Sequence, residues 1–222
     1  MLSPIIPAKL PRFREAAYQS IKEAILSGAI GPHHPLVEEQ LAGLLQISRT
    51  PVREALAILE HEGLIAPRGG RGLYVAPVSR EQFVEMFVAN EAVEPFLVRR
   101  AALRATPIQL TELQDAIGRA RNACAAHNIA LFLKASRDFH RLVGEAAGNE
   151  PLTKLVVQNE ERTDMYLLSV GANINTRNMQ TSTDEHAGIL GELVGRDPEA
   201  AARLAIYHAQ SLRQRLADLF GT

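Results

Sequence analysis

The chain has 222 residues, 46 % of them hydrophobic, with 24 Lys and Arg against 25 Asp and Glu for a net charge of −1. That much apolar material supports a packed core in one large or two modest domains and excludes global disorder. The near-neutral balance excludes a histone-like polycation but leaves room for a nucleic-acid binder that gathers a few cations on one face.

Gly and Pro cluster at residues 28–35 and 63–77, and after Pro77 long helical patterns take over. The chain therefore reads as two domains, 1–78 and 79–222, carrying 8 Lys/Arg against 7 Asp/Glu and 16 against 18. In the first domain, residues 13–27 have Ala17, Ile21, Ala24 and Ile25 on one helical face, and Gly28 ends the run. Residues 36–45 form a second helix with Val37, Leu41, Leu44 and Leu45 facing inward. Gln46, Ile47 and Ser48 make the turn. A third helix starts at Thr50, a hydroxyl cap followed by Pro51, and stops at Gly63 after burying Val52, Ala55, Leu56 and Leu59. Residues 64–66 and 73–75 are short strands around a Gly/Arg-rich connection. Three helices and a hairpin make a winged helix-turn-helix.

The second domain reads as six helices in an all-α antiparallel bundle: 80–104, 107–127, 129–147, 151–170, 183–195 and 198–219. Ser182 with Glu185 is a capping box for the fifth. No apolar run approaches the ~18 residues of a membrane span, and no basic-then-apolar signal pattern opens the chain. The single cysteine, Cys124, excludes an internal disulfide, fits a reducing cytoplasm, and reads as a small buried filler.

Ser48-Arg49-Thr50-Pro51-Val52-Arg53 carries the clearest chemistry. Arg49 and Arg53 are four apart, so they project together from the start of one helix and avoid its apolar stripe. The same start offers free backbone N–H groups and hydroxyls suited to phosphate. A recognition helix needs an apolar back and cations at its entering end, where guanidinium can bond guanine bidentately. Arg68, Gly70 and Arg71 sit in the hairpin connection, where glycine allows close backbone approach and arginine meets phosphate. An ordinary solvated helix face and a flexible turn would use the same residues.

Residues 13–76 resemble the winged-helix DNA-binding domain of the GntR family of bacterial transcription regulators. The run from Leu41 through Ser48-Arg49-Thr50-Pro51-Val52-Arg53-Glu54-Ala55-Leu56 to Leu64-Ile65 carries the likeness, as does the Gly-Arg-Gly-Leu-Tyr-Val wing. The resemblance implies that Arg49 and Arg53 contact bases and phosphates, with Gly70 and Arg71 at the wing tip. Glu39 stands where some members have a DNA-contacting arginine, and Gln46 replaces the glycine often found at the helix-turn junction.

Val93-Glu94-Pro95, Phe139-His140, Gly148-Asn149-Glu150-Pro151, Glu185-His186 and His208 resemble the all-helical (FCD-type) effector domain of the family's FadR-like branch. The likeness implies a homodimer on a pseudo-palindromic double-stranded operator, controlled by a small metabolite such as an organic acid. It also implies a divalent metal held by one Asp and three His. Here His140, His186 and His208 lie on three helices and could ligate Zn, Ni, Fe or Mn; singly, each fits an ordinary core or surface position. The Asp position is Ser136, and Asp138 falls about 200° around the helix from His140. The family's carboxylate-binding Arg position is Asn90, with Arg137, Arg141 and Arg162 as possible substitutes. Asn90, Ser136 and the three His are thus the expected effector contacts. A metal-dependent hydrolase using the three His, or a helical interaction module with vestigial DNA binding, are the alternatives; neither a His-Glu-x-x-His base nor a partner for Ser136 favours the former.

Overall fold

The computed structural model describes residues 11–32, 34–70, 72–171 and 174–217. It divides into two compact units, Met1–Pro77 and Val78–Thr222. The first unit contains α1 (Pro11–Leu26), α2 (Glu38–Leu45), α3 (Arg49–His61), β1 (Ile65–Pro67) and β2 (Leu73–Val75). β1 and β2 are antiparallel, with Ile65 opposite Val75 and Pro67 opposite Leu73. The Leu36 N–H donates to the Leu73 carbonyl at 2.8 Å, which fastens the segment before α2 to the hairpin.

The stripe predicted for α3 is the centre of this unit: Val52, Ala55, Leu56 and Leu59 are all buried, against Ala17, Ile21 and Ile25 of α1. Spacings of three and four put one apolar face toward the core. At the far end Tyr18 donates to Glu62 at 2.7 Å and Lys22 pairs with Glu62 at 3.0 Å, tying α1 to the residue that closes α3. Two expectations are corrected. Val37 and Leu44 do not face inward but are 38 % and 80 % exposed, because Leu41 and Ala42 carry the buried face of so short a helix. The third helix begins at Arg49, with Ser48 rather than Thr50 at the cap position. Gln46 takes the left-handed conformation at φ 55°, so the turn keeps the shape that glycine would serve.

The second unit is all-helical: α4 (Arg80–Arg104), α5 (Pro107–Ala125), α6 (Ile129–Ala147), α7 (Glu150–Ser169), α8 (Thr176–Gly195) and α9 (Pro198–Arg215). Capping boxes at Ser79/Gln82 and Thr106/Gln109 start the first two, and Asn128, Asn149, Asn175 and Asp197 cap the others. α4 packs against α6, α7, α8 and α9, while α5 covers α6 and α8. Leu97, Leu113, Ile117, Phe139, Val156, Ile189 and Leu193 fill the main core. α8 begins two turns before the predicted start. Ser182 and Glu185 therefore lie inside the helix, where both bind Arg215 at 2.8 Å, and they form no cap. Among the described residues no helix is long and apolar enough to cross a membrane.

Candidate functional site

In the first unit the start of α3 presents Arg49 and Arg53, whose side chains are 58 % and 64 % exposed. Ser48 and Thr50 are exposed beside them, and Ser48 makes no side-chain cap bond, so its hydroxyl is uncommitted to the helix. Between the two arginines lies Glu38, in the first turn of α2. Arg53 donates Nε and Nη2 to its two carboxylate oxygens at 2.9 Å each, and Arg49 reaches Oε2 at 3.4 Å. The hydrogen bond from Arg53, with the charges of both arginines, holds the Glu38 carboxyl below its ordinary value. Sequence reasoning weighed Glu39 and passed over Glu38; its place at the start of the helix before the turn was the available signal. In the hairpin, Gly69 and Gly70 have φ of 57° and 70°, conformations that side chains resist, and Arg68 lies over the Tyr74 ring at 5.9 Å. Arg71 lies outside the described residues.

In the second unit His140 of α6, His186 of α8 and His208 of α9 converge, with ligand nitrogens all within 4.8 Å of one another. Nε2 of His186 and Nε2 of His208 are 3.2 Å apart. The opposite nitrogens are held from behind: Nδ1 of His208 meets Glu185 at 2.6 Å, and Nδ1 of His140 meets Glu94 at 3.3 Å. His186 stacks on Phe139 with centroids 4.3 Å apart. Carboxylates behind imidazoles fix the ring orientation and leave the forward nitrogens for a metal. Burial, and then the neighbouring His208, His140 and Arg215, lower the pKa of His186 well below its ordinary value, so its ring is neutral and ligand-ready. Burial opposes charge on His140, but Glu94, Glu160 and Asp164 prevail and raise its pKa to about 9. Two nitrogens 3.2 Å apart could share one ion at the usual 2.0–2.1 Å of a zinc–imidazole bond. The donor set therefore fits a divalent transition metal with three imidazoles.

A cavity of about 80 Å³ opens beside this cluster and is lined by Asn90, Ser136, His140 and His208 among others. That is room for roughly five to eight water-sized groups, or a small metabolite. Asn90 is buried and bound at both ends: it donates to Glu160 at 3.0 Å and accepts from Asn159 at 2.9 Å. His186 touches the cluster but does not line the cavity. Asp138 turns away to Arg119 and Arg141. The possible arginine substitutes are elsewhere or engaged: Arg137 pairs with buried Asp164, and Arg141 with Glu145 and Asp138. Arg137, Arg141 and Arg162 are absent from the cavity wall. Instead the wall holds Glu94, Glu160, Asp164 and Arg215, none of which sequence reasoning singled out as cavity contacts, because charges on helices read as solvated faces.

A winged-helix unit joined to an all-helical unit with a buried imidazole cluster defines a two-part regulator architecture. Residues 13–75 match the family described as "Bacterial regulatory proteins, gntR family", and residues 85–211 match the "FCD domain". The chain belongs to the GntR family of bacterial regulatory proteins and carries an FCD domain. It is 26 % identical over 202 residues to the HTH-type transcriptional repressor RspR of Escherichia coli, covering 91 % of this chain and 88 % of that one. It is 28 % identical over 189 residues to the Nta operon transcriptional regulator of Aminobacter aminovorans, covering 85 % and 87 %. The fold matches the solved structure of Escherichia coli McbR/YncC with a TM-score of 0.82 at 21 % identity, over 96 % of this chain and all of that one. The protein is thus a DNA-binding transcription regulator with an effector-binding domain, and its relatives are regulators, not enzymes.

Proposed function

We propose that this protein binds a pseudo-palindromic operator as a homodimer in the bacterial cytoplasm and answers to a small effector in the cavity of the helical unit. Residues 1–78 would contact DNA, and residues 79–222 would bind the effector and dimerise. The observation that carries the reading is the exposed pair Arg49 and Arg53 at the entering end of α3, on the same unit as a glycine-turned hairpin. Ser48, Thr50, Arg68, Gly70 and Arg71 complete the DNA face. Two copies would set two recognition helices against two half-sites. Effector binding would bias the placement of the two winged-helix units, which is coupling between distinct sites. Arg49→Ala and Arg53→Ala should each weaken specific operator binding by about 1–3 kcal/mol in titrations with DNA from upstream of the gene. Unchanged affinity in both would remove α3 from the DNA.

His140, His186 and His208 would hold the metal, whether Zn, Ni, Fe or Mn, with Glu94 and Glu185 orienting two of the rings. When bound, it would supply a positive coordination point next to the cavity. Elemental analysis of the purified protein should find near-stoichiometric metal, lost in His186→Ala. Ser136→Asp should raise metal affinity by adding an anion one turn before His140. A chelator-indifferent, metal-free protein would reduce the three His to packing.

A further inference from the structure

Three imidazoles bring a cation no negative charge. His140, His186 and His208 are all buried, so a divalent ion on them alone would keep both its charges largely away from water, which is costly. The carboxylates nearby are mostly engaged. Glu94 and Glu185 stand behind the rings of His140 and His208, Asp164 pairs with Arg137, and Glu91 meets Arg213 at 3.0 Å. Glu160 of α7 differs from them. It is half-buried on the cavity wall, its Oε1 accepts from Asn90 Nδ2 at 3.0 Å, and among the described residues no donor reaches its Oε2. One ligand atom each from Glu94, His140 and Glu160 lie within 4.8 Å of one another, and the Glu160 charge acts on His140. Two ligands of one zinc ion stand no more than about 4.4 Å apart, so at most a small turn of the Glu160 side chain brings it and His140 to the same ion. Ser136, one turn before His140 on the same wall, offers only a hydroxyl.

We propose that Glu160 is the anionic ligand of the ion held by the three imidazoles, reaching it from α7 where α6 offers only Ser136. The inference rests on reading His140, His186 and His208 as metal ligands, and it adds a fourth residue to them. Glu94 stays behind the His140 ring, where it fixes the ring's orientation. Asn90, itself held by Asn159 at 2.9 Å, keeps Oε1 on the wall and leaves Oε2 to coordinate. Three neutral rings and one carboxylate leave a divalent ion one net positive charge. The site thus remains positive toward the cavity and toward an anionic group of the effector. The ion would also tie α7 to α6, α8 and α9.

The test uses the full-length protein, stripped with EDTA and titrated with Zn²⁺ against a chromophoric chelator. Glu160→Gln, which keeps the shape and removes the charge, should weaken Zn²⁺ by about a hundredfold or more, at or beyond the upper end of what losing an outer partner costs. The visible absorption of bound Co²⁺ should shift in the same variant, because one ligand atom has changed. Ser136→Asp should raise Zn²⁺ affinity about tenfold more in the Glu160→Gln background than alone, since two carboxylates otherwise compete for one position on the ion. Each metal-free variant is first checked for an intact melting transition; where Glu160→Gln lacks one, Glu160→Asp, which keeps the charge but shortens its reach, takes its place. The proposal is overturned if Zn²⁺ affinity in the Glu160 variant stays within about threefold of the wild type. An unmoved Co²⁺ spectrum, or equal gains from Ser136→Asp in both backgrounds, overturns it too. Those results leave the three imidazoles standing wherever His186→Ala abolishes binding. A wild-type protein that binds no Zn²⁺, or binding that survives His186→Ala, removes the metal-site reading and the Glu160 ligand with it.

Discussion

Glu38 fills the gap between two guanidiniums that would otherwise swing freely in solvent. It uses one edge of the Arg53 fork through Nε and Nη2, and so leaves Nη1 outside the pair. An exposed ion pair of this kind adds little to stability, so its value lies in aiming the side chain. His140 and Glu94 form the buried counterpart. With His140 raised from an ordinary 6.5 to about 9, the pair stabilises the metal-free fold fully below pH 6.5 and loses that contribution as pH rises through 9. The melting temperature of EDTA-treated protein should therefore decline over that window. Glu94→Gln should flatten the decline, and an unchanged profile in that variant would show that Glu94 does not hold the His140 charge. The three imidazoles themselves were legible only through resemblance. They stand on α6, α8 and α9, and nothing in local spacing says that residues 22 and 46 positions apart will meet.

The apolar stripe of α3 was legible because it is local: four residues at helical spacing decide which face turns inward, whatever the rest of the chain does. The start of α8 was not. Ser182 and Glu185 satisfy a capping pattern, yet Asn175 caps the helix and Met179 is buried at 1 % exposure, so tertiary packing extends α8 through a polar stretch. α6 and α7 meet at a point that only glycine allows. A Cβ on Gly144 would come within 2.6 Å of Thr153 Cγ2 and nearer still to its hydroxyl, which is held by the Asn149 carbonyl. Gly144→Ala should destabilise the helical unit by about 1–3 kcal/mol, read as a lower denaturant midpoint. Adding Thr153→Ala should recover part of that loss; no recovery would place the strain elsewhere.

Across the whole molecule the absence of excess charge, −1 over 222 residues, limits non-specific attraction to DNA. On the dimeric reading, operator binding would then draw on base contacts and on two copies acting together. Sedimentation of the free protein should give twice the chain mass, and log affinity should fall with log salt on a shallow slope, reflecting few phosphate contacts. A monomer, or a slope as steep as that of a polycationic binder, would contradict the dimeric reading. The mostly helical fold class with its small hairpin was legible, because helix periodicity and Gly/Pro punctuation are properties of the chain alone. The cavity was not, because its wall gathers residues from α4, α6, α7, α8 and α9.

The sole thiol offers a practical handle. Cys124 is 2 % exposed, packed in the core of the helical unit with its sulfur 3.7 Å from the Thr183 hydroxyl. A maleimide or nitroxide reagent will find it closed, so a thiol placed at exposed Ser27 by Ser27→Cys would be the one site labelled. In a homodimer that gives one spin on each winged-helix unit without any background substitution. Pulsed dipolar spectroscopy would then measure how far apart the two units stand, and how that spacing changes when the cavity fills.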